Sequence, residues 1–286
     1  MSAGIYAIQE NGQLVEMIER PYDSEALLQE LLEKYPNLLA GEQINSAEPR
    51  RWLLVSREMM VPSEEDGAGR WSIDHLFLDQ EGIPTFVEVK RSSDTRIRRE
   101  VVGQMLDYAA NGVVYWPPER IRASFEANCQ IQGIVPEQAL MERLGESVDP
   151  EQFWQQVATN LQLGRIRMLF VADKIPTELQ RIIEFLNVQM TPAEVLAVEI
   201  KQFVGQGLKT LVPRVIGLTV EAQKNKTLAS RGSRQWDESS FIQALEAQGE
   251  TNQVEIVKKM LAWAQDKELF VWWGKGTRWV SFAPIL

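Results

Sequence analysis

The hydrophobic pattern of the first part of the chain alternates between strand-like and helical periods. Residues 5–19 alternate around an Asn-Gly turn signal, which predicts an opening β-hairpin. Residues 24–35 carry leucines at helical spacing behind a capping aspartate or serine, which predicts a helix that ends before Pro36. A strand is expected at residues 51–60.

Two short apolar runs at residues 71–78 and 84–89 predict a pair of strands, because the sequence Asp-Gln-Glu-Gly between them is typical of a turn. Residues 95–110 have helical spacing, and Asn111-Gly112 is expected to stop that helix. The predicted order over this region is therefore helix, three strands and helix.

The middle of the chain predicts parallel strands. Residues 167–172 and 195–203 are apolar, strand-like runs, and residues 176–188 between them have helical spacing. A strand-helix-strand order favours a parallel pair, so the expected fold class is α/β with a mixed sheet. Residues 116–165 are expected to be helical in part.

The end of the chain is expected to form a small second domain. Residues 221–235 contain few large apolar side chains, which indicates a linker between a domain at residues 1–220 and another at residues 236–286. Two helices and a hairpin around residues 274–277 predict that the second domain is α+β and similar to a winged helix.

Composition narrows the class of protein. The 286-residue chain has no apolar run long enough to span a bilayer, no visible secretory leader and one cysteine, Cys129, which excludes an internal disulfide. We therefore expect a cytoplasmic protein without a membrane partner. The formal net charge of -10 argues against unspecific coating of nucleic acid, but phosphate contacts need only local positive charge.

Local positive charge is concentrated directly after the second strand of the predicted pair. Against a single acid, Asp94, this segment carries five basic residues: Lys90, Arg91, Arg96, Arg98 and Arg99. A second run of six basic residues lies between positions 205 and 235. Charge runs are commonly solvated surfaces, so this pattern alone does not establish a nucleic-acid interface.

Three charged residues are expected to meet on the predicted strand pair. If the turn is centred on Glu81, Asp74 lies directly opposite Glu88. Opposed residues of an antiparallel pair share a face, with Cβ atoms about 5 Å apart. Lys90 is two residues beyond Glu88 and joins the same face.

Two carboxylates this close repel each other unless a cation lies between them. A Mg²⁺ ion bound by carboxylates and a substrate phosphate would lower the pKa of a bound water and stabilise charge on the phosphoryl oxygens. Lys90 would orient that water or neutralise the developing charge. The alternative is a cross-strand salt bridge of Asp74 or Glu88 with Lys90, which is the more common meaning of an isolated match.

Polar residues on the neighbouring helices strengthen the catalytic hypothesis. Glu88 and Lys90 interrupt an otherwise apolar strand, and Gln104 occupies the apolar stripe of the helix that follows. Glu25 lies near the apolar face of the first helix, although an acid in a first turn also complements the helix dipole.

Together these features resemble the PD-(D/E)xK phosphodiesterase superfamily. The strings EALLQELLEKYPNLL, IDHLFLD, FVEVKR and VVGQMLDYAANG are similar to its uncharacterised and DNA-repair-related bacterial and archaeal branches. The resemblance covers residues 23–112 and, more weakly, residues 167–204. It implies a restriction-endonuclease-like αβββαβ core. Ile73 stands where the motif has proline, which is not a ligand.

The resemblance also implies roles for individual residues and a metal-dependent nuclease function. The ligands of Mg²⁺ or Mn²⁺ would be Asp74, Glu88, the Val89 carbonyl and Glu25. Lys90 would be catalytic, with Gln104 in support. The partner would be nucleic acid, DNA ahead of RNA, and a homodimer is compatible with this expectation. The residues expected to contact phosphates are Arg91, Arg96, Arg98 and Arg99.

A rival hypothesis is a non-catalytic member of the same fold that binds nucleic acid or serves as a protein scaffold. Other chemical signals are weaker. His75 is the one histidine, which excludes a two-histidine metal site, and strand parity points it away from Asp74. Glu199 and Lys201 form a second E-x-K, but neither a tight hairpin partner nor a glutamine-bearing helix accompanies them.

Overall fold

The computed structural model describes residues 5–61, 71–94, 100–146, 148–219, 222, 241–242, 245, 251–267, 270–273 and 282–285. The chain divides into two compact units, Met1–Ala222 and Gln223–Leu286. All the candidate catalytic residues belong to the first unit. No helix in the described ranges is both long enough and apolar enough to cross a membrane.

The first unit is α/β and contains a mixed, open sheet. Its strands are β1 Ile5–Ile8, β2 Leu14–Glu19, β3 Leu53–Val61, β4 Trp71–Leu78, β5 Pro84–Lys90, β6 Arg167–Ala172, β7 Glu194–Gly205 and β8 Leu208–Ile216. In the described part of the chain, their order is β1-β2-β7-β6-β5-β4-β3, and β8 pairs with β7 outside this row. Strand β6 is parallel to both β5 and β7, whereas β3, β4 and β5 pair antiparallel.

Helices cover the sheet on both faces. Those of the first unit are α1 Glu25–Lys34, α2 Gly41–Ile44, α3 Glu100–Tyr115, α4 Pro118–Gln132, α5 Pro136–Leu144, α6 Pro150–Gln162 and α7 Thr177–Gln189. A short 3-10 helix, Pro36–Leu39, follows α1. Proline occupies the first position of α4, α5 and α6, where its missing N–H is not needed.

Strands β5 and β6 are buried between two hydrophobic clusters. Val87 and Val89 of β5 belong to one cluster, together with Leu28 and Leu32 of α1. Phe86 belongs to the other, to which helices α3 to α7 contribute. Because both faces are covered, these strands have the continuous apolar sequence that is typical of buried parallel strands.

A buried ion pair fixes the turn between β4 and β5. The Asp79 carboxylate accepts the backbone N–H groups of Glu81 and Ile83 at 3.0 and 3.1 Å. It also accepts a hydrogen bond from Arg167 Nη1 at 2.9 Å. Arg167 is 1 % exposed and binds Glu194 as well, at 2.7 Å. The buried Arg167 guanidinium is thus paired with two carboxylates, as a buried positive charge requires.

The observed pairing confirms the register predicted around Glu81. Paired positions of β4 and β5 run from Leu78 opposite Pro84 to His75 opposite Val87. The predicted opening hairpin and the predicted parallel pair, β6 with β7, are also confirmed.

Two features differ from the sequence-based predictions. Helix α3 does not stop at Asn111-Gly112 but continues to Tyr115. A Cβ on Gly112 would lie 3.1 Å from Trp116 and 3.2 Å from Phe86, so this glycine permits close packing instead of ending the helix. Strand β8 was not predicted, because most of its residues are exposed and its hydrophobic pattern is weak.

The second unit contains α8, Thr251–Asp266, and two antiparallel strands, β9 Phe270–Trp273 and β10 Phe282–Ile285. The helix buries one apolar face, formed by Val254, Val257, Leu261 and Ala264. Of the predicted linker at residues 221–235, only Ala222 lies within the described residues. Most of the helix predicted from about residue 238, and the turn at residues 274–277, also lie outside them.

Candidate active site

The candidate site lies at the end of β5, where this strand leaves the buried part of the sheet. Glu88 is 2 % exposed, and Lys90, the last residue of β5, is half-buried. One step beyond the paired ladder, Asp74 Oδ2 on β4 accepts the backbone N–H of Val89 at 2.7 Å. The hairpin therefore brings the three predicted residues to one strand end.

The Lys90 ammonium is the common neighbour of all four predicted metal-ligand groups. Its Nζ lies 3.0 Å from Glu88 Oε1 and 3.1 Å from Glu25 Oε1. It donates to the Val89 carbonyl oxygen at 2.9 Å and lies 3.9 Å from Asp74 Oδ2. The structure thus gathers these predicted residues around one nitrogen atom.

Burial controls the protonation of this cluster. Burial, followed by repulsion from Asp74, raises the pKa of Glu88 to about 7. Burial also raises the pKa of Asp74, against the attraction of Lys90. Burial alone would lower the pKa of Lys90, but attraction to Glu88 and Asp74 outweighs it and the pKa is raised. Burial therefore favours the protonated form of both acids, and the Lys90 ammonium opposes this effect.

Helix α1 holds Glu25 beside the strand end. Ser24 caps the helix by accepting a backbone N–H of the first turn at 3.1 Å, which is a typical serine cap. Leu28 and Leu32 are fully buried and fix the rotation of the helix against the sheet. Glu25 is consequently directed toward Lys90 from the first turn.

Sequence reasoning missed Gln29, which lies one helical turn after Glu25. The Gln29 side-chain amide hydrogen-bonds the Asp74 carboxylate, and the backbone carbonyl oxygen of Gln29 lies 3.0 Å from His75 Nε2. Two successive residues of β4 therefore contact the same residue of α1. The spacing of four from Glu25 is the signal that would have identified Gln29. His75 is fully buried, and burial lowers its pKa to about 4.

Gln104 is hydrogen-bonded to a tyrosine of its own helix. Its Nε2 donates to the hydroxyl of Tyr108, and that hydroxyl donates to the Ser72 carbonyl of β4 at 2.9 Å. Burial, followed by repulsion from Glu88, raises the pKa of Tyr108 to about 12. The spacing of Tyr108 places it on the apolar face of α3, so sequence reasoning missed the polar role of its hydroxyl.

Of the four arginines predicted to contact phosphates, Arg91 is the one that lies within the described residues. Arg91 Nη1 donates to the Asp23 carbonyl oxygen at 3.2 Å. Next to it, Ser92 donates its N–H and its hydroxyl to Asp173 at 2.7 and 3.0 Å, which anchors the start of the basic segment. The remaining predicted residues lie outside the described residues: Arg96, Arg98 and Arg99.

The second E-x-K has a different environment. Glu199 accepts the backbone N–H of Ile175 at 3.0 Å and a hydrogen bond from Arg214 at 3.2 Å. Lys201 pairs with Glu19 at 3.2 Å. Its two charged residues therefore have separate partners, unlike Glu88 and Lys90.

The residues at the strand end suit a hard divalent cation, although the Lys90 ammonium now lies among them. In the described ranges, no group of three or more His, Cys, Asp or Glu side chains is arranged to hold a metal ion. Glu88 Oε2, however, is buried and has no hydrogen-bond partner among the described residues. An unpaired buried carboxylate oxygen beside a carbonyl and two further carboxylates offers the oxygen ligands that Mg²⁺ and Mn²⁺ prefer.

Comparison with known proteins adds no family assignment. No family model matches the chain, and no curated protein or solved structure matches it.

Proposed function

We propose that the chain is a metal-dependent nuclease that hydrolyses phosphodiester bonds in nucleic acid. One observation carries this proposal: three carboxylates and a backbone carbonyl surround a single cationic nitrogen, Lys90 Nζ, at the end of a buried strand. A salt bridge that only stabilises the fold needs one carboxylate. Clustering several buried acids costs stability, and such a cost is typical of functional sites.

The proposed metal ligands are oxygen atoms of this cluster. Asp74, Glu88 and the Val89 carbonyl would hold Mg²⁺ or Mn²⁺. When bound, the ion would supply positive charge to the phosphoryl oxygens and lower the pKa of a water molecule.

The chain's own residues have distinct parts in the proposed reaction. As a water oxygen forms a bond to phosphorus and the ester P–O bond breaks, one proton of that water passes through solvent to the departing ester oxygen. The Lys90 ammonium donates hydrogen bonds to the phosphoryl oxygen on which negative charge develops. Asp74 holds the backbone of β5 through the Val89 N–H. This contact keeps the side chains on either side of Val89 in position.

The order of elements supports the same proposal. Helix α1, strands β3, β4 and β5, helix α3 and strand β6 follow one another in the order of a restriction-endonuclease-like αβββαβ core, with α4 to α6 inserted before β6. Gln104 of α3 supports the Tyr108 hydroxyl, which in turn bonds the Ser72 carbonyl of β4.

Nucleic acid is the proposed substrate because basic residues follow the site in sequence. Arg91 is adjacent to Lys90, and the chain continues with Arg96, Arg98 and Arg99. Such residues bind phosphates without reading the base sequence. DNA is favoured over RNA by the resemblance to DNA-repair-related proteins.

Cleavage of labelled substrates tests the proposal. Single-stranded and duplex DNA and RNA are incubated with Mg²⁺ or Mn²⁺, and the wild type is expected to cleave at least one form. Asp74→Ala and Lys90→Met are expected to lose cleavage. Lys201→Met is the matched control, because it removes the ammonium of the second E-x-K and should leave cleavage unchanged. An inactive wild type, or an active Lys90→Met protein, contradicts the proposal.

The alternative function is non-catalytic binding of nucleic acid. The observation that favours it is the full pairing of Lys90 with carboxylates, which a closed salt-bridge cluster would also produce. Retention of labelled DNA without cleavage in either metal would support this alternative.

A further inference from the structure

Lys90 Nζ occupies the point at which a bound cation would meet its ligands. Three oxygens surround it closely: the Val89 carbonyl at 2.9 Å, Glu88 Oε1 at 3.0 Å and Glu25 Oε1 at 3.1 Å. An ammonium group has three N–H donors, so these oxygens account for all of them. The group is therefore held as a ligand-bound cation would be.

The ammonium lies between a buried acid and a more open one. The Glu88 side chain is 2 % exposed, whereas the Glu25 side chain is 32 % exposed. Three carboxylates face this single ammonium, and Glu88 Oε2 has no hydrogen-bond partner among the described residues. Among the described residues, one oxygen of the buried acid therefore has no hydrogen-bond donor to compensate its charge.

We infer that Lys90 is the resident counter-cation of the metal-free site, and that Glu25 keeps its ammonium when a divalent cation binds. This inference rests on the proposed function. A metal ion held by the Val89 carbonyl and Glu88 would lie at contact distance from the ammonium, where like charges repel strongly. The bound metal therefore displaces the ammonium from Glu88 and Val89. Glu25, on the solvent side, is the contact that remains.

This exchange makes the site selective for cation charge. A monovalent ion would replace one positive charge by another, and the ammonium would lose its hydrogen bonds to Glu88 and Val89. A divalent ion raises the positive charge among the acids. Binding of Mg²⁺ or Mn²⁺ should therefore persist in a large excess of K⁺. Because Glu25 holds the displaced ammonium, it changes the metal affinity of the site indirectly, through Lys90.

A double-mutant cycle tests the inference without measuring activity. Mn²⁺ is titrated calorimetrically, in K⁺ buffer, into wild type, Lys90→Met, Glu25→Gln and the double variant. Lys90→Met should bind Mn²⁺ at least about tenfold more tightly, because a competing positive charge is gone. Glu25→Gln should weaken binding when Lys90 is present and have no effect in the Lys90→Met protein. Lys201→Met should titrate as wild type does.

The outcomes separate the inference from the proposed function. Equal weakening by Glu25→Gln in both backgrounds would mean that Glu25 is a direct ligand, and the exchange would be refuted. Lys90→Met with wild-type affinity would refute it as well. If the proposed function is wrong, the wild type and Asp74→Ala instead give the same titration.

A measurement on the wild type guards against a variant that does not fold. In protein labelled with ¹⁵N-lysine, the ammonium resonance of Lys90 should shift when Mg²⁺ binds. An unchanged resonance in the Mg²⁺-saturated protein would overturn the exchange.

Discussion

Glu88 is buried on β5 with one carboxylate oxygen on Lys90 and the other unpaired among the described residues. Burial, followed by repulsion from Asp74, raises the pKa of Glu88 from the ordinary 4.5 to about 7 in the folded protein. Folded Glu88 therefore takes up a proton that the unfolded chain releases. Its contribution to stability is fully present below pH 4.5 and is lost as the pH rises through 7.

Glu88→Gln is accordingly expected to stabilise the protein at alkaline pH. A shift of this size corresponds to at most about 3 kcal/mol, so we expect a gain of about 2 kcal/mol in the free energy of unfolding at pH 8 and little change at pH 5. Urea unfolding at the two pH values measures it. Glu199→Gln is the matched control, because Glu199 is similarly buried but both its oxygens are bonded; it should destabilise at both pH values. A loss of stability at pH 8 in Glu88→Gln contradicts this prediction.

His75 gives the opposite dependence on pH. Burial lowers its pKa from 6.5 to about 4, so the folded protein keeps the ring neutral while the unfolded chain binds a proton. The contribution of His75 to the free energy of unfolding is fully present above pH 6.5. About 3 kcal/mol of it is lost as the pH falls toward 4. His75→Gln retains a donor for the Gln29 carbonyl but does not titrate. The difference in unfolding free energy between wild type and variant should therefore change across this range, and a constant difference would count against the prediction.

At the scale of elements, sequence reasoning predicts the features that depend on contacts between residues close together in the chain. The placement of Asp74 opposite Glu88, with Lys90 beyond, follows from a short turn, and the observed register agrees with it. Gln29 depends on the rotation of α1 against β4, and the Tyr108 hydroxyl depends on a carbonyl of another element. No local pattern specifies such contacts, so sequence reasoning missed both.

Helix α3 offers a matched pair of glycines for testing close packing. A Cβ on Gly112 would meet the buried rings of Trp116 and Phe86, whereas a Cβ on Gly103 would meet nothing within 4 Å. Gly103→Ala should stabilise by up to about 1 kcal/mol through helix propensity. Gly112→Ala should destabilise by about 1 to 2 kcal/mol, because overpacking outweighs the same gain. Thermal unfolding compares the two, and equal stabilisation would show that the rings can move aside.

At the scale of the whole molecule, the candidate site and its supports lie in one unit. The hydrophobic clusters that hold α1, β5 and α3 consist of residues of Met1–Ala222. A chain ending at Ala222 is therefore expected to fold alone, with a cooperative thermal transition and the Mn²⁺ affinity of the full chain. Circular dichroism and calorimetric titration measure these properties. A truncated chain without a cooperative transition would show that the first unit needs the second.

The ion pair of Asp79 with Arg167 has a consequence for descent. Loss of either partner is destabilising, because the other charge then keeps only part of its compensation in the interior. Under the proposed function, Glu88 is retained for cleavage at a cost in stability above neutral pH, so a lineage released from that selection would gain stability by losing it. Descendants without cleavage should therefore keep the Asp79–Arg167 pair and lose the acid at position 88. Sequences with Asp79 and Arg167 but a neutral residue at position 88 would be the record of that loss.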